Sequence, residues 1–170
     1  ASGGDMGELL MTIARHPAFW QADPVIATPF DYSIRLGRMI DTTNAGALAR
    51  YLERSGSGHF DRETPDGYPL DGAAYADSNG LLQRWILGRD FQHDYARILT
   101  AETKAARAGP SHATASGLLD FSMQRLTGYP LGKRSREALR RVLAAAPDKP
   151  YHRMRMLGMA IAQLPETNLR

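Results

Sequence analysis

Between His59 and Asp77 the sequence gathers most of the groups that can do chemistry: His59, Asp61, Glu63, Asp66, Asp71 and Asp77, with Gly67 and Gly72 among them. Carboxylates on an irregular, glycine-containing loop can turn side chains and backbone carbonyls toward a hard cation such as calcium. Their spacing does not follow the alternating D-x-[DN]-x-[DN]-G pattern with its distal glutamate, so no metal is assigned. Arg84 adds a guanidinium near Asp77 and Asn79, able to close an ion pair or to hold an anion. The candidate polar site is therefore His59, Asp61, Asp66, Asp71, Asp77 and Arg84. A structural use competes for the same residues. Pro65-Asp66-Gly67 is a turn sequence, because proline presets φ, aspartate bonds its own backbone and glycine accepts positive φ. Tyr68 and Pro69 would then fill an apolar gap, and Asp77 or Ser78 would cap the next helix.

Other catalytic signatures are missing. His16, His93, His112 and His152 stand in no H-E-x-x-H or H-x₃-H spacing, which argues against a zinc site built from this chain. Gly56-Ser57-Gly58 does not make the G-x-S-x-G elbow of a serine nucleophile. Neither a phosphate-binding P-loop nor a dinucleotide fingerprint occurs, and no cofactor is assigned. With no cysteine, disulfides, thiolate metal sites and a cysteine nucleophile are excluded, while the compartment stays open.

Helices must position these residues, since apolar side chains recur at helical spacing and no run alternates strictly. The expected class is all-α: an irregular bundle of about seven helices with one long Gly/Pro/Asp-rich loop. A first helix runs from about Asp5 to Arg15 with Met6, Leu9, Leu10 and Ile13 as its apolar face, after which Phe19 and Trp20 fold back into the core. Thr28, Pro29 and Asp31 announce a second helix to about Ile40, as N-cap, first residue and first-turn carboxylate. A third runs from about Thr43 to the Ser55-Gly56-Ser57-Gly58 stop. Helix resumes at Ser78-Asn79 with Leu81, Leu82, Trp85 and Ile86 inward, and continues with interruptions to about Leu99. Beyond Gly109-Pro110, Ser111 or Thr114 opens a helix carrying Leu118, Leu119, Ser122 and Leu126, which ends at Gly128-Tyr129-Pro130. Ser135 caps the next, with Leu139, Val142 and Leu143 buried. The last packs Met154, Leu157, Ile161 and Leu164, while Met156 and Met159 can fill the core or form an adaptable surface.

The bulk numbers agree with a packed fold. The 170 residues are 43% hydrophobic and 23% charged, ordinary values for a globular domain. Residues 1–170 read as one helical domain or as the C-terminal portion of a larger one. No apolar run approaches the roughly 18 residues of a membrane span. The net charge of +3 hides an asymmetry: 9 Lys/Arg face 13 Asp/Glu in residues 1–100, against 12 and 5 in residues 101–170. Lys133, Arg134, Arg136, Arg140 and Arg141 invite a nucleic-acid reading. Without interleaved aromatic or glycine-rich segments, a solvated helix face accounts for them better.

Four segments in order carry a family likeness: Ser2-Gly3-Gly4-Asp5 opening a helix that ends in His16-Pro17-Ala18-Phe19-Trp20; Thr28-Pro29-Phe30-Asp31; Pro65-Asp66-Gly67-Tyr68-Pro69 with Asp71-Gly72 and Leu81-Leu82-Gln83-Arg84; and a closing trio of helices. Together they resemble the C-terminal part of the bacterial domain-of-unknown-function family numbered eighteen hundred, across almost the whole chain. Tyr68 stands where the family pattern usually has the Trp of a Gly-Trp-Pro turn. The resemblance implies a helical protein several hundred residues long, exported to the periplasm or secreted, with this chain as its C-terminal portion. It implies no catalytic residues.

The function expected is a non-catalytic helical scaffold, whose irregular loop contacts the rest of its parent chain or a protein partner. The alternative is an extracytoplasmic enzyme with loop 59–77 walling a cleft. An enzyme needs the loop's polar groups to converge on a pocket, whereas a scaffold ties them up in caps and turns.

Overall fold

The computed structural model describes residues 3–21, 23–58, 60–62, 65–105, 115–127 and 131–169. Its helices are α1 (Met6–Arg15), α2 (Pro17–Trp20), α3 (Pro29–Met39), α4 (Ala45–Arg54), α5 (Ser78–Asp90), α6 (Gln92–Ala105), α7 (Ala115–Thr127), α8 (Lys133–Ala145) and α9 (Pro150–Ala162). Short 3₁₀ turns cover Gly72–Tyr75 and Pro165–Asn168. Among the described residues there is no strand, only an isolated antiparallel bridge between Ile26 and Leu169. The all-α class is therefore correct, with more pieces than the seven expected. Pro17–Trp20 forms its own turn of helix, and the expected 78–99 helix divides at Phe91, whose ring is drawn into the core at 1% exposure.

Local signals explain most helix starts. The Thr28 hydroxyl accepts from the Asp31 amide at 3.2 Å and donates to the Asp31 carboxylate at 2.9 Å, with Pro29 at the first helical position. Such a cap contributes about 1 kcal/mol. Asn44 caps α4 and Asp77 caps α5 in the same way. The cap expected at Ser135 is absent, because α8 begins two residues earlier, after Gly132. Glu166 serves instead, one carboxylate oxygen accepting from the Gly132 amide at 3.2 Å and the other from the Ser135 hydroxyl at 2.8 Å.

α9 runs through the centre, packing against α5, α6, α7 and α8, with its most extensive contact to α6. Gly158 makes that contact possible: a Cβ there would lie 2.2 Å from the Cβ of Tyr95. Leu36, Ile40, Leu87, Leu99, Leu119, Leu139, Leu157 and Ile161 are buried in one continuous core. Each such side chain contributes roughly 1.5–3 kcal/mol by leaving water. Leu118, Leu119, Ser122 and Leu126 of α7 are buried as their spacing predicts, as are Met154, Leu157, Ile161 and Leu164 toward the chain's end.

Two expectations about facing fail. The inward face of α5 is Gly80, Arg84, Leu87 and Gly88, while Leu81, Leu82 and Trp85 are about half exposed. The glycines admit neighbours that larger side chains would hold off. A Cβ on Gly80 would lie 2.2 Å from the Tyr75 carbonyl oxygen, and one on Gly88 would lie 3.3 Å from the Ala162 methyl. In α1 and α2 no residue is buried: Met6, Leu9, Leu10, Ile13, Phe19 and Trp20 are between 45% and 74% exposed. The amphipathic stripe of α1 is formed as expected, but it is left uncovered, as is Met11 on the other side of the helix at 49% exposure.

Candidate functional site

The loop after α4 starts where Gly56 takes a positive φ of 67° and the Ser57 amide reaches back to the Leu52 carbonyl. His59 and Glu63, named from sequence, lie outside the described residues, as do His112 and the helix openers Ser111 and Thr114. Asp61 sits at the rim of an open groove of about 530 Å³ lined by Ala45, Leu48, Ala49 and Leu52 of α4 with Glu53 and Phe60. Asp66 pairs with Arg62 at 3.5 Å, an exposed pair of small energetic weight. Gly67 accepts the positive φ that the Pro65-Asp66-Gly67 turn demands, at 73°. The Tyr68 hydroxyl donates to the Gly58 carbonyl at 2.6 Å, and the Arg62 guanidinium lies over its ring.

Asp71 and Asp77 are turned into the chain. The Asp71 carboxylate accepts from the Ala73 amide at 2.9 Å, opening the Gly72–Tyr75 turn, and that of Asp77 accepts from the Gly80 amide at 2.6 Å. Gly72 is fixed by close approach, since a Cβ there would fall 1.6 Å from the Ile26 carbonyl oxygen. A second open groove of about 420 Å³ lies on this side, between Pro29, Phe30, Tyr68, Pro69, Leu70 and Tyr75. Among the described residues no three His, Asp or Glu side chains come together as metal ligands would.

Arg84 departs most from the sequence reading. It is 2% exposed, and no carboxylate of a described residue lies within 4.0 Å of it. One guanidinium nitrogen donates to the Ala27 carbonyl and another to the Asn168 side-chain oxygen at 3.2 Å, while the plane lies 5.0 Å from the centre of the Tyr32 ring. The expected ion pair is replaced by neutral acceptors and an aromatic face, which hold a buried cation by charge-assisted hydrogen bonds and cation–π attraction. Around this knot the Ala27 amide donates to the Asn168 carbonyl at 2.9 Å, and Arg35 reaches the Leu169 carbonyl.

Sequence reasoning missed the tyrosines beside Arg84. Tyr32 and Tyr51 meet at 5.8 Å between ring centres, and the Tyr32 hydroxyl donates to the Ala162 carbonyl at 3.0 Å. Burial pushes the Tyr51 hydroxyl up to about 12, partly offset by the Arg84 charge, and raises those of Tyr32 and Tyr95 well above the ordinary tyrosine value. A phenol so displaced is a neutral hydrogen-bonding group at physiological pH. Helical spacing marks these rings as core positions, but only tertiary contact brings them to Arg84.

Asp66, Asp71, Asp77 and Arg84 thus act separately, as a turn carboxylate, two caps and a buried clamp. A family model described as a protein of unknown function, DUF1800, matches residues 1–169. No curated protein and no solved structure matches the chain.

Proposed function

The chain belongs to the DUF1800 family, and on that premise we propose that it is a non-catalytic helical interaction segment, the C-terminal part of an exported bacterial protein. One observation carries this reading: Asp71 and Asp77 accept hydrogen bonds from the amides of the turns that they open, while Phe60 and Leu70 on the same loop point outward at 95% and 85% exposure. Carboxylates engaged with backbone amides serve as caps, whereas outward apolar groups beside shallow grooves suit contact with protein. The occupant proposed is the N-terminal portion of the parent chain.

Calorimetric titration of this chain with that portion tests the reading. Phe60→Ser combined with Leu70→Ser is expected to weaken binding at least tenfold. Unchanged affinity in the double variant would remove the loop from the interface.

A further inference from the structure

We propose that α1 pairs antiparallel with α1 of a second copy of this chain. A ten-residue helix is marginal alone in water and draws its stability from packing. α1 nonetheless has an Asp5 cap accepting from the Gly7 amide at 2.7 Å, and a C-terminal end closed by His16. The His16 ring then caps α2, and the Trp20 indole donates to the Ala14 carbonyl at 2.6 Å. The result is a built hook whose apolar stripe is left exposed.

The order of that apolar side selects its occupant. Met6, Leu9, Leu10 and Ile13 have the spacing three, one, three, which reads the same in both directions. A two-fold axis between Leu9 and Leu10 therefore sets Met6 against the partner's Ile13, and Leu10 beside the partner's Leu10. Such self-complementarity is what an isologous interface requires. Charge selects the same orientation. Asp5 and Glu8 stand toward one end of α1 and Arg15 at the other, so antiparallel copies bring unlike charges and opposite helix dipoles together at both ends. Phe19 and Trp20, edge to face at 5.2 Å, widen the patch beside Ala14. Six side chains with about half or more of their surface open exceed the few hundred Å² of apolar patch usual on a monomer. Two such patches closed on one another approach the roughly 1,200 Å² at the lower bound of specific interfaces.

Light scattering of the chain at micromolar concentration is expected to give about twice its mass of 18.7 kDa. Leu10→Glu should halve that value and leave the monomer folded with an unchanged far-ultraviolet spectrum, because no α1 residue is buried within its own chain. Single cysteines placed in this cysteine-free sequence test the register. Leu10→Cys should form an intermolecular disulfide under mild oxidation. Ile13→Cys should not, since its two copies would lie about 10 Å apart along the helix axes. A monomeric chain, or equal cross-linking at both positions, overturns the proposal and assigns the face to a different protein or to another part of the parent chain.

Discussion

Replacing Gly158 by alanine sets two effects of known size against each other. In a helix interior the change gains about 1 kcal/mol of intrinsic propensity. At this position the new methyl would lie 2.2 Å from the Cβ of Tyr95 and 2.5 Å from its Cγ. The Cβ is fixed by the α6 backbone, so rotating the fully buried Tyr95 side chain moves only the atoms beyond it and does not relieve the contact. Reaching an ordinary carbon–carbon separation requires α6 and α9 to part by about 1.5 Å. Overpacking of this kind costs about 1–3 kcal/mol, and the upper end applies where backbone must move. The net expectation is a loss of about 2 kcal/mol. Urea denaturation followed by circular dichroism at 222 nm measures it, read as a lower midpoint at unchanged slope. Gly88→Ala is the control, its methyl meeting that of Ala162 at 3.3 Å. That variant should stay within about 0.5 kcal/mol of the parent, since a shift of a few tenths of an ångström offsets the gain in propensity. A Gly158→Ala protein as stable as Gly88→Ala would refute the close approach of α6 and α9.

Three further expectations concern the Arg84 knot and the chain around it. In a double-mutant cycle, Arg84→Ala and Asn168→Ala should couple by about 1.5–3 kcal/mol, the range of a hydrogen bond to a charged group, and coupling under about 0.5 would show that Asn168 is not its partner. Gly72→Ala should cost about 3 kcal/mol or more, since a backbone carbonyl occupies the space of its methyl; a variant melting like the parent would deny the contact with Ile26. Because the folded-state values of Tyr32, Tyr51 and Tyr95 lie above that of an unfolded tyrosine, their contribution is full below about pH 10 and is lost as pH rises through the folded values, with Tyr51 at about 12. Stability against urea should therefore fall steeply above pH 10, with unfolding and the tyrosinate absorbance appearing together, and an early noncooperative titration of all tyrosines would contradict their burial.

What could be read from the sequence was local. Thr28, Pro29 and Asp31 fixed the start of α3, and Asp77 that of α5, because a cap and its amides lie within three residues of each other. Turn chemistry at Gly67 was equally plain. The start of α8 was not, since the carboxylate that caps it, Glu166, comes from beyond α9. Periodicity revealed that α1 has an apolar side but not what that side meets. On α5 it favoured the large residues Leu81, Leu82 and Trp85, whereas the close approach permitted by Gly80 and Gly88 decided the buried face. Arg84 sits near Asp77 in sequence, which suggested an ion pair; Ala27 and Asn168, which hold it, are brought to it only by the fold.

The bonds joining α3 to the end of the chain also set an order of events during synthesis. The Tyr32 hydroxyl waits for the Ala162 carbonyl across 130 residues, and Arg35 waits for Leu169 across 134. At the roughly 5–20 residues per second of a translating ribosome, α3 emerges on the order of ten seconds before its acceptors exist. During that interval it can rest on α4, α7 and the Arg84 turn of α5, but not on the end of the chain. These bonds of α3 can form only once α9 and the segment behind it have cleared the exit tunnel.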